Sequence, residues 1–411
     1  MSFKDLKLNK AILKAITEIG YDSPTLVQSK TIPLALEQKD LIVSAQTGTG
    51  KTAAYALPVL QLLFDKQDAP KKGKTCKSLI ISPTRELAVQ IGKDFKGYAK
   101  HTNLRTAVIF GGTSIEPQID ILNKGADIII ATPGRLLDLH KQDLINLDYV
   151  EMLILDEADI MLNMGFIDDV KKIERLCPET KQTLLFSATI PYKVEELAKD
   201  ILKNPERIEV SANSSVGINI NQILYYVPKR HKIPLCIHLL RNGIQGNILI
   251  FRRTKFGVEK LAERLTEKGH SVERLHGDRT QSERQTALNK FKNGIVKILV
   301  ATDVASRGID VEKLDAVINF DLPSKPETYV HRIGRTGRAG QIGVAHSLCS
   351  ADEKSYIKKI EELINLQIPV EQNHPFPLDP SARPIVHKKK GSKHKKGRKG
   401  EGSKKRKKRW Y

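Results

Sequence analysis

The sequence has few cysteines and no long apolar run. Its four cysteines lie far apart, without the CxxC spacing of a zinc site or the density of a secreted disulfide framework. No stretch approaches the roughly 20 apolar residues needed to span a bilayer, and the first residues lack the apolar core of a signal peptide. We therefore expect a protein of the reducing cytoplasm without membrane contact, in which Cys76, Cys177, Cys236 and Cys349 are ordinary buried thiols.

Acidic residues are scarce relative to basic ones, and the imbalance is concentrated at one end. The net charge is +21 at pH 7, and residues 388–411 contribute fourteen Lys or Arg and one acid, a net +13. That segment lacks the apolar residues needed to build a core, so we predict that it is disordered. A positive excess of this size favours a polyanionic partner, although a solvated charge block or a targeting signal would have the same composition.

Short β-branched runs alternate with helical stretches through most of the chain. Six runs lie between residues 40 and 186, and six more lie between residues 223 and 348. This alternation predicts βαβ units around parallel sheets, and therefore two tandem α/β domains. The stretch 211–217 is small and polar, as is typical of a linker. The predicted division is a first domain at 1–208, a linker at 209–217, a second domain at 218–370 and a Pro-containing, then Lys/Arg-rich tail at 371–411.

A glycine-rich string, AQTGTGKT, occupies residues 45–52 between a predicted strand and a predicted helix. The backbone amides of such a loop can wrap a polyphosphate, while Lys51 neutralises the β- and γ-phosphates and the Thr52 hydroxyl coordinates Mg²⁺. The usual pattern opens with glycine where this chain has Ala45. The order of strand, loop and helix nevertheless favours a nucleotide site.

An apolar run at 152–155 leads directly into three carboxylates, Asp156, Glu157 and Asp159. A buried strand that ends in acids is the metal-holding counterpart of a phosphate loop. We predict that Asp156 holds Mg²⁺ through its water shell, and that Glu157 orients and deprotonates the attacking water. A solvated acidic turn is the alternative, which the four preceding apolar residues make less favourable.

These two motifs belong to a longer series that resembles the motifs of DEAD-box ATP-dependent RNA helicases. The further matching strings are GYDSPTLVQ at 20–28, PTRELA at 83–88, GG at 111–112, TPGR at 132–135, SAT at 187–189, HGD at 276–278, QSER at 281–284, ATDVASRGID at 301–310 and HRIGRTGR at 331–338. The resemblance implies two RecA-like domains with parallel sheets, ATP and Mg²⁺ as cofactors, and RNA as the partner. The string LIFRRTK at 249–255, the brevity of the chain and its basic extension look most like the bacterial RhlE-type subgroup.

The resemblance also implies a role for each matching residue, with Gln28 reading adenine and Phe3 stacking on it. The implied ATP contacts are Phe3, Tyr21, Thr25, Gln28, Gln46, Thr47, Gly48, Thr49, Gly50, Lys51, Thr52, Asp310, Arg335 and Arg338. The implied catalytic residues are Glu157, Lys51, Asp156 and the arginine fingers Arg335 and Arg338, and the metal is assigned to Thr52 and Asp156. The implied RNA contacts are Arg85, Gly112, Thr132, Arg135, Gly277, Gln281, Arg284 and Thr302. Asp159, Ser187, Thr189 and His331 are expected to couple the two domains.

The implied activity is local, ATP-dependent unwinding of RNA by a monomer that grips the sequence-independent backbone. On such a core the basic tail is interpreted as a nonspecific RNA anchor. Ribosome assembly, RNA decay and cold adaptation are the settings that the resemblance suggests. A processive translocase and a non-catalytic RNA annealer or scaffold remain alternatives. Ile160 and Ile190 depart from the residues usual at these positions, which could alter the coupling between domains.

Overall fold

The described chain, residues 2–46, 48–66, 75–210, 220–306, 314–337 and 342–379 of a computed structural model, forms two parallel β-sheets. The first contains β1 (Leu41–Ala45), β2 (Ser78–Ile81), β3 (Thr106–Ile109), β4 (Ile128–Ala131), β5 (Met152–Leu155), β6 (Gln182–Ser187) and β7 (Glu206–Val210). The second contains β8 (Ile220–Tyr226), β9 (Ile248–Arg252), β10 (Val272–Leu275), β11 (Ile298–Thr302), β12 (Ala316–Asn319) and β13 (Gly343–Cys349). All of these strand pairs are parallel, which confirms the predicted α/β class with two tandem domains.

Helices cover both faces of the first sheet. They are α1 (Lys10–Glu18), α2 (Leu26–Leu36), α3 (Lys51–Asp65), α4 (Arg85–Tyr98), α5 (Glu116–Asn123), α6 (Pro133–Lys141), α7 (Ala158–Met164), α8 (Ile167–Arg175) and α9 (Tyr192–Ile201). The core residues of α1–α4 pack with one set of alternating strand residues, and those of α5–α9 pack with the other set. This two-sided burial explains why strands such as β4 and β5 are apolar at every position.

The second domain repeats this plan with α10 (Lys232–Asn242), α11 (Lys255–Glu267), α12 (Gln281–Lys292), α13 (Asp303–Ser306), α14 (Pro326–Ile333) and α15 (Lys354–Ile364).

Several helices of both domains begin at residues that the local sequence favours. Thr25 and Thr280 each accept a hydrogen bond from a backbone N–H of the first turn, and Gln28 and Glu283 bond back to them as capping boxes. These caps fix where α2 and α12 start, next to the candidate sites described below.

The strand order brings the two predicted ATP motifs to the same edge of the first sheet. Its order is β3-β4-β2-β5-β6-β1-β7, so β6 lies between β1 and β5. Because the strands are parallel, the loop after Ala45, the acids after Leu155 and the end of β6 at Ser187 share one edge. Neighbouring strands are about 4.8 Å apart, so the phosphate loop and the acids emerge about 10 Å from each other.

The chain was predicted to leave the fold after Val370, but it continues along the second domain up to Asp379. Leu224 of β8 bridges to Val370, and the Leu378 amide donates to the Tyr226 carbonyl at 2.9 Å. Phe376 packs against the core of the domain. The segment covers the free edge of β8. Its proline-containing sequence does not indicate this pairing. The lysine-rich part of the tail lies outside the described residues.

The four cysteines are free and buried, as predicted. Within the part of the chain that the structure describes, no helix is long and apolar enough to span a membrane.

Candidate nucleotide and RNA sites

The phosphate loop connects β1 to α3 through glycines in the left-handed backbone region. Gly48 and Gly50 have φ values of +84° and +89°, a conformation that L side chains rarely adopt. A Cβ atom at Gly50 would also lie 2.4 Å from Nε2 of Gln28. The buried Lys51 ammonium donates to the Ala45 carbonyl at 2.7 Å, so it lies folded over the loop. The backbone is therefore shaped for close approach of a polyphosphate.

Gln28 is tied both to the start of its own helix and to the phosphate loop. Its Oε1 accepts from the Thr25 amide at 3.0 Å, and its Nε2 donates to the Gly50 carbonyl at 3.1 Å. The Thr25 hydroxyl donates to the Thr49 carbonyl at 2.8 Å. A carboxamide has two N–H groups and two acceptor lone pairs, so Gln28 keeps one of each for a base.

Some of the remaining predicted ATP contacts lie within the described residues, and others lie outside them. Phe3 is buried and lies against Tyr21 with ring centroids 6.2 Å apart, and the Tyr21 hydroxyl bonds to that of Tyr98 at 2.9 Å. The Gln46 carbonyl accepts from the Thr49 hydroxyl at 2.8 Å. Thr47, Asp310 and Arg338 lie outside the described residues, so their roles stay predictions.

Asp156 and Glu157 carry buried oxygens without hydrogen-bond partners among the described residues. Oδ2 of Asp156 accepts from the Tyr55 hydroxyl at 2.9 Å, whereas its Oδ1 and Oε2 of Glu157 have no partner there. Buried acceptors are normally satisfied, so these atoms fit the water shell of a bound Mg²⁺ and an attacking water.

The Glu157 carboxyl is buried beside a second carboxyl group. Burial and the neighbouring Asp156 raise the pKa of Glu157 to about 7, against the opposing charges of Arg335 and Lys51. A pKa near the operating pH suits a general base. Glu157 also has φ +54°, a left-handed conformation that typically costs about 1–3 kcal/mol and is found at functional sites.

The second domain faces this site with Arg335. This residue is buried, and it lies close enough to Glu157 for its charge to lower the pKa of that carboxyl. A second contact crosses between the domains nearby, because Lys325 donates to Asn163 Oδ1 at 2.5 Å. The ATP site is therefore composed of groups from both domains.

The four predicted coupling residues form one cluster. Oδ2 of Asp159 accepts from the amide and the hydroxyl of Thr189 at 3.1 and 2.9 Å, and the Asp159 amide donates to Ser187 Oγ at 3.2 Å. His331 of the second domain places Nε2 3.5 Å from the same Asp159 oxygen. The cluster therefore joins the two domains at the end of β6.

Sequence reasoning missed two buried residues beside these sites, Tyr55 and Arg332. Arg332 donates to both Asp303 oxygens at 2.5 and 2.9 Å and to the Asp321 carbonyl at 2.6 Å, which fixes α14 just before Arg335. Tyr55 could have been found from helix periodicity, because it follows Thr52 by one turn. Arg332 lies inside a recognised string, but its partners are distant in sequence.

A cleft of about 580 Å³ lies between the domains and collects most of the predicted RNA contacts. It is lined by Pro83, Thr84, Arg85, Glu86, Gly111, Thr132, Gly134, Arg135, Asp138, Met164, Phe166, Gly277 and Arg284. Gly112 lies behind it with φ +77°, and a Cβ there would overlap the Arg85 guanidinium. Gln281 and Thr302, at the start of α12 and the end of β11, are not among the lining residues described.

Three guanidinium groups converge on this cleft. Burial and the neighbouring charge of Arg284 lower the pKa of Arg85, with Arg135 acting in the same direction. Nη1 of Arg135 is buried without a partner among the described residues. Arg284 is 2.8 Å from Oε1 of Glu86, an ion pair that crosses between the domains. Converging like charges of this kind indicate a site for a polyanion.

The two departures from the usual motif residues are accommodated by packing. Ile160 is only 1% exposed, and Ile190 packs against the core on the α5–α9 face of the first sheet. Both side chains therefore pack as ordinary apolar residues.

Comparison with known proteins assigns the two domains to known families. The DEAD/DEAH box helicase family matches residues 25–197, and the helicase conserved C-terminal domain matches residues 231–340. The DEAD-box ATP-dependent RNA helicase CshA of Bacillus cereus is 44% identical over 360 residues, which cover 88% of this chain and 67% of that protein.

Solved structures resemble the whole described arrangement to different degrees. Dbp5 of S. cerevisiae bound to RNA and ADP BeF3 is 31% identical, with a TM-score of 0.81 and coverage of 90% of this chain and 95% of that one. A Dbp5 variant bound to Nup159, Gle1, IP6 and ADP is 30% identical, with a TM-score of 0.60 and coverage of 88% and 95%. The domain arrangement described here is thus more similar to the form bound to RNA and ADP BeF3.

Proposed function

Because the chain belongs to the DEAD-box family of ATP-dependent RNA helicases, we propose that Glu157 and Arg335 complete its ATPase site when the two domains close. The observation that carries this proposal is the buried Glu157 carboxylate, held in a left-handed conformation, with Arg335 of the other domain beside it. A guanidinium suits the charge that spreads over a γ-phosphate during transfer.

The first domain supplies the groups that hold ATP. Lys51 neutralises the β- and γ-phosphates, and the loop amides around Gly50 hold the phosphate oxygens. Thr52 would hold Mg²⁺ directly and Asp156 would hold it through water, and the ion would neutralise phosphate charge when bound. Glu157 accepts a proton from the attacking water as the new bond to the γ-phosphorus forms and the bond to the bridging oxygen breaks.

RNA binds across both domains in the guanidinium-lined cleft. Arg85 and Arg135 of the first domain and Arg284 of the second pair with phosphates, which carry no sequence information. A strand held by both domains follows a path that a duplex cannot adopt, so a few base pairs open locally. Loss of the γ-phosphate removes the group that Arg335 holds, and the domains then release the RNA.

Several finer assignments are part of the proposal. The assignment to the RhlE-type subgroup is based on residues 249–255 and on the basic extension. The relative from Bacillus cereus described above, however, is a CshA helicase. A monomer in the cytoplasm, acting in ribosome assembly, RNA decay or cold adaptation, is the setting we propose. The division at 1–208, 209–217 and 218–370 is proposed as the domain scheme, with the first domain extended to Val210 by β7 and the second domain extended to Asp379. Residues 388–411 are proposed as a nonspecific RNA anchor.

Replacing Glu157 by Gln tests the proposed base. Glu157→Gln keeps the shape of the side chain but removes its proton-accepting charge, so turnover should fall by about 10²- to 10⁴-fold while ATP binding persists. ATP hydrolysis and binding of a fluorescent ATP analogue would be measured side by side. An RNA-bound state should also accumulate with ATP, visible as slow RNA release.

Glu151→Gln is the matched control for this experiment. Glu151 lies just before β5, at the opposite end of the strand from Glu157, and pairs with Lys66 on the surface. This control should hydrolyse ATP like the wild type. Near wild-type turnover by Glu157→Gln would show that another group is the base.

A further inference from the structure

Tyr55 is a buried residue of α3 that hydrogen-bonds to Asp156, one of the two side chains assigned to magnesium. Its side chain is fully buried, and its hydroxyl donates to Oδ2 of Asp156 at 2.9 Å. Thr52 and Tyr55 are one helical turn apart, whereas Asp156 comes from the end of β5, across the sheet edge.

The direction of this hydrogen bond follows from chemistry. An ionised carboxylate only accepts, so Tyr55 gives its one proton to Oδ2 of Asp156. Oδ1 of Asp156 has no partner among the described residues, and it is an acceptor of the kind that the waters of a bound Mg²⁺ need.

The ring of Tyr55 is held in place by its aromatic neighbours. The ring of Phe186 lies edge-on at a centroid distance of 5.0 Å, and the Phe95 ring lies at 6.2 Å. Both neighbours are fully buried in the core of the first domain. A ring fixed in this way holds its hydroxyl at one point, so the hydrogen bond orients the Asp156 carboxylate.

We propose that Tyr55 is a positioning residue for magnesium, which orients the Asp156 carboxylate through its hydroxyl. The inference rests on the proposed metal role of Asp156. Residues that orient metal ligands typically contribute about 10- to 100-fold to metal affinity or activity. Tyr55 therefore strengthens the link between Mg²⁺ and nucleotide binding without touching either one.

Tyr55→Phe removes the hydroxyl and keeps the packed ring. The measurement is the affinity of a fluorescent non-hydrolysable ATP analogue in Mg²⁺ and in EDTA, together with the Mg²⁺ concentration for half-maximal binding. We expect affinity in EDTA to be unchanged and the half-maximal Mg²⁺ concentration to rise by about tenfold or more. Thermal unfolding of the same samples shows whether the domain remains folded.

Tyr225→Phe is the matched control, because Tyr225 loses a similar buried hydrogen bond, to Nδ1 of His346 at 3.1 Å in the second domain. It should keep the wild-type magnesium dependence. The inference is overturned if Tyr55→Phe also keeps that dependence, or if it weakens binding equally in Mg²⁺ and EDTA. A wild-type protein that binds the analogue independently of Mg²⁺ would instead overturn the metal role of Thr52 and Asp156, and the inference with it.

Discussion

At the residue scale, single side chains join parts of the ATP site that are distant in sequence. Gln28 illustrates this, since its amide connects the start of α2 to the phosphate loop at Gly50. We propose that it has two separable tasks, holding the loop and reading the base. The first task affects every nucleotide equally, and only the second distinguishes adenine from guanine.

Gln28→Ala should weaken ATP binding and also reduce the preference for ATP over GTP. Loss of hydrogen bonds to a buried group costs about 1–3 kcal/mol, so we expect a loss in ATP affinity of about tenfold or more. The check is the ratio of kcat/KM for ATP and GTP. Gln182→Ala, which loses two buried bonds to the Ala35 and Lys39 carbonyls, should preserve the ratio. Equal losses for both nucleotides would mean that Gln28 only holds the loop.

Sequence patterns predicted the charged residues of the site but not the residues that support them. Lys51, Asp156 and Glu157 stand in strings whose chemistry is local and therefore readable. The hydrogen bond from Tyr55 to Asp156 spans 101 positions, so it depends on the strand order of the folded sheet. The left-handed backbone at Glu157 is likewise imposed by the surrounding structure, since glutamate does not favour it.

At the scale of elements, alternation of apolar runs and helices was enough to predict two parallel sheets, but it missed the edge strand β7, whose end lies in the predicted linker. The C-terminal segment was not predictable in this way, because its attachment depends on the free edge of β8. Val370 and Leu378 contact Leu224 and Tyr226, far earlier in the chain, and Phe376 fills a space against the core. Prolines around it indicate only that no helix continues.

The pairing of β8 with β13 buries a histidine that should make the second domain sensitive to acid. Burial lowers the pKa of His346 to about 4. The unfolded chain, with a pKa near about 6.5, then binds more protons than the folded chain between these values, so stability is lost as pH falls through this window. We expect His346 to account for a loss of about 2 kcal/mol between pH 7 and pH 5.

Urea unfolding of His346→Gln at pH 7 and pH 5 measures this effect. The variant should lose less stability on acidification than the wild type, even if its stability at pH 7 is lower. His101→Gln, which removes a partly exposed histidine beside Glu18, should keep the wild-type response. The assignment fails if both variants and the wild type share one pH dependence.

At the scale of the whole molecule, the two domains meet through a few polar contacts. Arg284 pairs with Glu86, and His331 lies beside Asp159. Sequence motifs predicted which residues contact ATP and which contact RNA. The relative placement of the domains, however, follows from these pairs of residues that are distant in sequence. The same interface serves the cleft and the ATP site, so binding of either ligand should favour the arrangement that binds the other.

The most direct test of the account is the affinity for single-stranded RNA, measured by fluorescence anisotropy with and without a non-hydrolysable ATP analogue. Closure of both domains on both ligands predicts that the analogue tightens RNA binding by about 5- to 150-fold, and that RNA tightens analogue binding by the same factor. DNA of the same sequence should show less coupling, because it lacks the 2′-hydroxyl that distinguishes RNA. RNA affinity that is unchanged by the analogue would contradict the account, because ATP and RNA would then not share one closed state.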